Sequence, residues 1–285
     1  MYPARFRYEA PRSLDAALDL LRAHGDDAKV LAGGQSLVPM MKLRFATPEL
    51  LVDINDVPGL SYHEVRADAL QIGALCRHVD LEFSPGLDRW PLVASAAPLI
   101  ADPIVRNRGT LVGSVCHADP QGDWASVLLA LGAEIVAASR TGLRAVPVTE
   151  FVTGPFQNVL RPGEIAVAAR LPVPTGTPFG RYLKLERRVG DFATAGVAVA
   201  LELAGSTVMS AGIALTGVGA SNIKAVAAEQ VLVGNALEPD VVEETARLAA
   251  EAAQPRSDHR GSAAYKRHVV KAFVIRALER VPVGV

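Results

Sequence analysis

The feature that most constrains this chain is a pair of glycine-containing segments, AGGQS at residues 32–36 and TLVGS at residues 110–114. Each follows apolar, strand-like sequence and precedes a candidate helix. Glycine adopts backbone dihedrals that other residues rarely reach, and it lets a second group approach the backbone closely. Both segments are therefore predicted to form tight turns between a strand and a helix.

Two interpretations of these turns are open. Backbone N–H groups that converge in tight turns and at helix N-termini bind a diphosphate without any lysine, and glycine permits the close approach. The alternative is that both are ordinary strand-to-helix connections, because a single Gly-Gly pair occurs in many proteins without a ligand.

The charge balance limits the partners of the chain. The sequence has 29 basic and 30 acidic residues, for a formal net charge of −1. Nucleic acids and anionic membranes both favour a basic surface, so neither is expected as the main partner. Any anionic ligand is predicted to be held by local geometry.

Motifs for catalysis or metal binding are missing from the sequence. It has no phosphate-binding loop with G-x-x-x-x-G-K-[ST], no H-E-x-x-H, no C-x-x-C and no G-x-S-x-G. Its six histidines are scattered, and the two cysteines, Cys76 and Cys116, are too few for an iron–sulfur cluster or a four-cysteine zinc site. We expect no catalytic residue and no metal site in this chain, and a reducing, cytoplasmic location.

Two charged segments have both a structural and a functional interpretation. His117, Asp119 and Asp123 follow the second glycine segment. Either aspartate could simply cap a helix starting at Trp124, or one could accept hydrogen bonds from ligand hydroxyls while the other caps. The segment KLERRVGDFA at residues 184–193 carries two adjacent arginines and an aspartate, which by themselves predict a surface network.

The organisation of the chain indicates two domains. At 285 residues it is longer than most single cores, and residues 171–178 contain three prolines and a glycine, typical of a linker. Before this segment, Ser13 and Gly25 are predicted to bound a helix, and Pro39 to start the short helix after the first glycine turn. After it, strands precede three helices. The uncharged stretch 203–223 is rich in glycine, serine and threonine, so no integral membrane segment is expected.

Four blocks of the sequence occur in a fixed order, namely VLAGGQSLVPMMKLR at 30–44, IVRNRGTLVGSVCHADP at 104–120, KLERRVGDFA at 184–193 and SDHRGSAAYKR at 257–267. Together they resemble the FAD-binding medium subunit of the molybdenum hydroxylases, the xanthine oxidase family that includes aerobic carbon monoxide dehydrogenase. The resemblance covers nearly the whole chain, and four ordered blocks are far more specific than any one of them.

The resemblance implies an α+β fold. Residues 1–175 would form a PCMH-type FAD-binding domain with subdomains at about 1–56 and 57–175. Residues 178–285 would form a C-terminal domain, in which a small antiparallel sheet is combined with helices.

The resemblance also implies the cofactor-binding residues. Residues 30–37 would wrap one side of the FAD diphosphate and residues 110–114 the other, with Asp123 accepting from flavin-chain hydroxyls. Ile100 would lie near the isoalloxazine and Lys184 near the ring system, where its charge would favour the reduced flavin. The family usually has two adjacent glycines in the second turn, so the bulk of Val112 is expected to restrict the diphosphate there. The implied set is Val30, Leu31, Ala32, Gly33, Gly34, Gln35, Ser36, Leu37, Ile100, Thr110, Leu111, Val112, Gly113, Ser114, His117, Asp119, Asp123 and Lys184.

The function implied by the resemblance is electron transfer. The chain would bind FAD, receive electrons from [2Fe-2S] clusters on a small partner subunit and pass them to quinone, NAD or oxygen. A large molybdopterin subunit would oxidise the substrate, and the complex would be a heterohexamer. Two alternatives remain open: a self-sufficient PCMH-fold flavin oxidoreductase, and a flavin-free subunit that bridges the other two.

Overall fold

The computed structural model describes residues 2–282, and its N-terminal part is a three-stranded parallel sheet with two helices. The strands lie in the order β1–β3–β2, namely β1 Arg7–Glu9, β3 Leu50–Asp53 and β2 Ala28–Leu31. Helix α1, Leu14–His24, connects β1 to β2, and helix α2, Leu37–Lys42, connects β2 to β3. A parallel sheet requires such crossover connections.

The predicted bounds of α1 are confirmed, and the predicted start of α2 is wrong. The Ser13 hydroxyl accepts a hydrogen bond from the Ala16 N–H at 3.2 Å, and Gly25 ends α1 with a φ of +51°. Helix α2 begins at Leu37, two residues before Pro39. Proline is tolerated there because first-turn N–H groups have no partner within the helix.

The middle of the chain forms a five-stranded antiparallel sheet. Its order is β4 (His63–Arg66), β5 (Ala69–Gly73), β10 (Ile165–Pro172), β6 (Glu134–Ser139) and β7 (Gly142–Pro147). A separate hairpin pairs β8 (Val152–Gly154) with β9 (Gln157–Asn158). The helices of this part are α3 His78–Glu82, α4 Pro91–Ala96, α5 Pro103–Arg106, α6 Leu111–His117, α7 Asp123–Ala130 and α8 Val148–Phe151.

The C-terminal part is a four-stranded antiparallel sheet followed by three helices. The strands β11 (Thr177–Leu185), β12 (Ala195–Ala204), β13 (Thr207–Thr216) and β14 (Ile223–Lys224) pair in sequence order. Helices α9 Val226–Leu232, α10 Pro239–Ala252 and α11 Ala263–Leu278 cover one face. The predicted α+β class, with a small antiparallel C-terminal sheet and helices, is thereby confirmed.

The two parts that the proline-rich segment joins pack against each other, although the C-terminal part also has a buried cluster of its own. Tyr182, Ala198 and Ala214 of the C-terminal sheet belong to the same buried cluster as the middle of the chain. Two glycines allow this contact. A Cβ atom at Gly180 would lie 2.2 Å from the Leu92 backbone N of α4, and one at Gly212 would lie 1.8 Å from the Ala130 backbone O of α7. One face of the sheet therefore packs on α4 and α7.

Candidate functional site

The first glycine segment forms a loop with free backbone donors. It leaves β2 after Leu31 and reaches α2 at Leu37, and Gly34 has a φ of +73°. Among residues 2–282, the N–H groups of residues 33–36 find no hydrogen-bond acceptor. We call residues 32–36 the first loop. Successive backbone N–H groups without partners in a turn can bind an anion.

The second glycine segment is the start of a helix. The Thr110 hydroxyl caps α6 by accepting from the Gly113 N–H at 3.2 Å, so residues 111–114 are the first helical turn, not a turn that precedes a helix. Val112 is only 2% exposed and belongs to the buried core. Its bulk therefore points away from the exposed side of this turn, and it does not restrict that side as the sequence suggested.

The two segments meet at Gly33. A Cβ atom there would lie 2.3 Å from the Arg108 backbone O and 2.7 Å from Gly109 Cα, so only glycine fits. We call residues 108–114, which include the second glycine segment, the second segment. The first loop and the second segment together are called the two-loop cradle, and each of them is one wall of it. Backbone packed this tightly, beside unpaired N–H groups, fits the diphosphate of a cofactor without requiring a lysine.

His78 connects the second segment of the two-loop cradle to α7. No sequence pattern indicated this role. Its backbone N–H donates to the Gly109 carbonyl at 3.0 Å, and its Nδ1 accepts from the Trp124 indole N–H at 3.0 Å. Burial, followed by the charges of Arg106 and Arg77, lowers the pKa of His78 to about 3. A neutral imidazole therefore joins the second segment to α7.

Asp123, Lys184 and Ile100 lie together between the two parts of the chain. The Asp123 carboxylate accepts from the Tyr182 hydroxyl at 2.6 Å through Oδ1 and from Lys184 Nζ at 3.0 Å through Oδ2. Lys184 Nζ also donates to the Leu99 carbonyl at 3.0 Å, next to Ile100. Both charged side chains are almost fully buried, at 2% and 7% exposure. The oxygens predicted to face a cofactor thus already have partners within the protein.

Burial and charge act in opposite directions on Asp123. Burial raises the pKa of its carboxyl group, and the Lys184 charge together with the Tyr182 hydrogen bond lowers it. The Tyr182 hydroxyl lies 3.0 Å from Thr216 Oγ1, which donates to Ser126 Oγ at 2.7 Å. We call Asp123, Ser126, Tyr182, Lys184 and Thr216 the interdomain polar cluster. It connects α7 to strands β11 and β13.

Neither aspartate caps α7 as one interpretation suggested. Gly122 occupies the N-cap position, Asp123 is the first helical residue, and its side chain points into the interdomain polar cluster. Asp119 Oδ1 accepts from the Gln121 N–H at 2.9 Å, which fixes the turn before the helix. Asp123 still lies in the first turn, where a negative charge is favourable.

His117 is the last residue of α6 and Asp119 follows it, so both lie at the opposite end of this helix from Thr110. Seven helical residues span about 10 Å. The His117 ring contacts Phe156 with centroids 5.1 Å apart, and burial lowers its pKa while Asp119 raises it. The structure therefore brings residues 33–36 to the second segment, and it places His117 and Asp119 away from that contact.

The Arg187 and Arg188 side chains make no hydrogen bond or ion pair with the other described residues, so they do not anchor the segment 184–193. Arg260 of the 257–267 block holds it instead, with guanidinium nitrogens 3.0 and 3.3 Å from the two Asp191 oxygens and 2.8 Å from the Phe192 carbonyl. Two blocks that are distant in sequence are thus one structural unit.

Two other kinds of site are absent from the described part of the chain. No group of three or more histidine, cysteine, aspartate or glutamate side chains there is arranged to hold a metal ion. No helix between residues 2 and 282 has both the length and the apolar character needed to cross a bilayer.

Comparison with known proteins assigns both parts of the chain. Residues 4–174 match the family described as "FAD binding domain in molybdopterin dehydrogenase", and residues 181–281 match the "CO dehydrogenase flavoprotein C-terminal domain". The carbon monoxide dehydrogenase medium chain of Hydrogenophaga pseudoflava is 42% identical over 98% of this chain and 97% of its own. The glyceraldehyde dehydrogenase medium chain of Sulfolobus acidocaldarius is 38% identical over 99% and 100%.

A solved structure shows the same architecture. Carbon monoxide dehydrogenase from Hydrogenophaga pseudoflava, in a form that lacks the Mo-pyranopterin moiety of its molybdenum cofactor, superposes with a TM-score of 0.94. The two chains are 43% identical, and the match covers 98% of each.

Proposed function

The chain belongs to the family of FAD-binding medium subunits of carbon monoxide dehydrogenase-type molybdenum hydroxylases, and on that premise we propose that it is an electron-transfer subunit. It would receive electrons from [2Fe-2S] clusters on a small partner subunit and pass them to quinone, NAD or oxygen. A large molybdopterin subunit would oxidise the substrate, in a cytoplasmic heterohexamer. Because two similar relatives are named for carbon monoxide and glyceraldehyde, the medium chain does not by itself specify the substrate.

The observation that carries the proposal is the two-loop cradle. FAD, when bound, supplies a redox centre that exchanges electrons singly or in pairs. The unpaired N–H groups of residues 33–36 would hold its diphosphate, and the contact at Gly33 fixes the first loop against the second segment.

The roles at the other end of the cofactor stay predictions. Lys184 is the cation expected near the flavin ring, and Asp123 neutralises part of its charge at 3.0 Å. We therefore expect the charge of Lys184 to favour the reduced flavin less strongly than an unpaired lysine would. Ile100, which is 6% exposed, would limit the access of water at this end.

Purification of the chain from its own host tests the proposal. FAD in the optical spectrum, iron and molybdenum by metal analysis, and one smaller and one larger co-purifying subunit are the expected result. A chain that purifies alone with flavin would make the self-sufficient flavoenzyme the better description. A three-subunit complex without flavin would make it a bridging subunit.

A matched pair of variants tests the placement of the diphosphate. Gly34 has a φ of +73°, a conformation that both Asp and Asn tolerate better than other residues. Gly34→Asp should abolish FAD retention because it adds bulk and a negative charge beside the phosphates. Gly34→Asn adds nearly the same bulk without the charge and should retain more FAD. Equal retention in Gly34→Asp and the wild type would remove the first loop from the site.

A further inference from the structure

Asn55 controls the orientation of a peptide group in the first loop. It follows β3, and its backbone N–H donates to Asp53 Oδ1 at 2.9 Å, which fixes the turn. Its side-chain Nδ2 donates to the Ala32 carbonyl at 2.9 Å. In a trans peptide the C=O and the following N–H point in opposite directions. A carbonyl of Ala32 held toward Asn55 therefore directs the Gly33 N–H away from Asn55.

Arg77 connects Asn55 to the second segment. One of its guanidinium nitrogens, Nη1, donates to the Arg108 carbonyl at 2.6 Å, and the other, Nη2, donates to Asn55 Oδ1. The Arg108 carbonyl oxygen is also the atom that a Cβ at Gly33 would meet at 2.3 Å. The planar guanidinium group of Arg77 thus contacts the second segment directly, at the Arg108 carbonyl, and the first loop through Asn55.

Arg77 lies among charges of both signs. Its backbone N–H donates to Asp80 Oδ2 at 2.8 Å, and Asp53 accepts from Tyr8 and from the Asn55 N–H. Burial, and then the neighbouring charge of Arg108, lowers the pKa of Arg77, whereas the charges of Asp80 and Asp53 raise it. Both terminal guanidinium nitrogens already donate within the protein, to the Arg108 carbonyl and to Asn55 Oδ1.

We propose that Arg77 and Asn55 are positioning residues that pre-form the two-loop cradle for a diphosphate. They contact the backbone of both walls, and neither was singled out by the sequence. The inference rests on the proposed function, because it takes the FAD diphosphate as the ligand. It extends that function by naming the side chains that set the geometry of the N–H groups.

The test uses the complete complex, stripped of FAD and titrated with FAD while flavin fluorescence is followed. Arg77→Met and Asn55→Ala should each raise the dissociation constant about tenfold or more, the effect of losing a hydrogen bond to a charged or buried group. The double variant should raise the dissociation constant by less than the product of the two single-variant factors, because Arg77 and Asn55 share one hydrogen-bond network. Arg77→Lys reaches one acceptor in place of two and should rescue only part of the affinity.

Two further readouts separate positioning from general stability. Arg89→Met is the matched control, since Arg89 is exposed, donates to the Pro174 carbonyl and lies over the Trp90 ring, with no hydrogen bond to the two-loop cradle; it should bind FAD as the wild type does. The reduction potential of bound FAD should be unchanged in every variant, because the clamp acts at the phosphates and not at the ring. The thermal midpoint of the FAD-free Arg77→Lys complex should match the wild type.

The outcomes distinguish this inference from the proposed function. Wild-type FAD affinity in both Arg77→Met and Asn55→Ala would overturn the positioning role and leave the FAD site in place. A shifted reduction potential would overturn it too, because the effect would then reach the ring. A wild-type complex that binds no FAD would refute the proposed function itself.

Discussion

The two-loop cradle and the interdomain polar cluster differ in whether their polar groups have partners within the protein. The cradle keeps backbone N–H groups unpaired and uses glycine where any side chain would collide. The interdomain polar cluster buries a full positive and a full negative charge and satisfies both within the protein. A site that binds an anion must leave donors free, whereas a permanent contact between two parts of a chain must not.

The comparison teaches where each region is vulnerable. The cradle depends on space and peptide orientation, so we expect small added groups to weaken FAD binding more than they weaken folding. The interdomain polar cluster depends on paired charges, and loss of one partner leaves a buried charge uncompensated. Two predictions below test this distinction, and a third measures a partly exposed ion pair for comparison; they run from the largest expected effect to the smallest.

Removal of the buried cation should have the largest effect on stability. Lys184→Met leaves the Asp123 carboxylate buried without its ion-pair partner, and the free energy of unfolding should fall by about 3–5 kcal/mol. Urea denaturation of the FAD-free chain measures it. Lys271→Met is the control, because Lys271 pairs with Glu243 at the surface and such pairs contribute about 0–1 kcal/mol. If the free energy of unfolding fell by similar amounts in Lys184→Met and Lys271→Met, the buried pair would contribute no more to stability than the surface pair.

A methyl group at the contact of the two walls should damage binding more than folding. Gly33→Ala places Cβ against the backbone of Arg108 and Gly109, which cannot rotate away, so the walls must separate. The free energy of unfolding should fall by about 1–3 kcal/mol, as for other overpacked sites. FAD affinity, measured by titration, should fall more steeply than that loss of stability predicts.

Gly86→Ala is the matched control for the added methyl group. A Cβ there meets only Ser84 Oγ at 3.9 Å, and Gly86 does not have a positive φ. It should change neither stability nor FAD affinity. If Gly33→Ala binds FAD as tightly as Gly86→Ala does, the walls do not need their close contact.

The smallest effect is expected at the partly exposed pair of Asp191 and Arg260. The hydrogen bonds from Arg260 lower the pKa of Asp191 in the folded chain, whereas the pKa of an aspartate in an unfolded chain is about 3.9. The pair therefore stabilises the fold fully above that pH, and its contribution is lost as the pH falls through the folded-state pKa. Asp191→Asn should therefore have a lower free energy of unfolding than the wild type at pH 7, and the difference between the two should shrink as the pH falls.

Urea denaturation at a series of pH values from 7 to 3 measures that difference, with Asp88→Asn as the control. The Asp88 carboxylate makes no hydrogen bond or ion pair with the described residues, so its variant should follow the wild-type curve. A deficit for Asp191→Asn that is the same at every pH would show that the ionised carboxylate is not what stabilises the segment.

Much of the fold could be predicted from local signals. Ser13 and Gly25 bound α1 as their capping preferences indicate, and the α+β class followed from the resemblance of four blocks. The start of α2 and the nature of residues 110–114 were misjudged, because proline and glycine fit within a first helical turn as well as before it. The burial of Val112 also depends on which face of α6 packs on the core.

The amino-acid sequence determined the parts of this protein that depend on near neighbours: the helix caps, the glycines of the first loop and the family to which the chain belongs. Only the tertiary structure decided the partners of its charged and polar groups. Asp123 meets Lys184 across 61 positions, and Arg77 meets Arg108 across 31. Such contacts depend on the relative orientation of whole elements, and side-chain chemistry alone permits many alternative partners for the same residue.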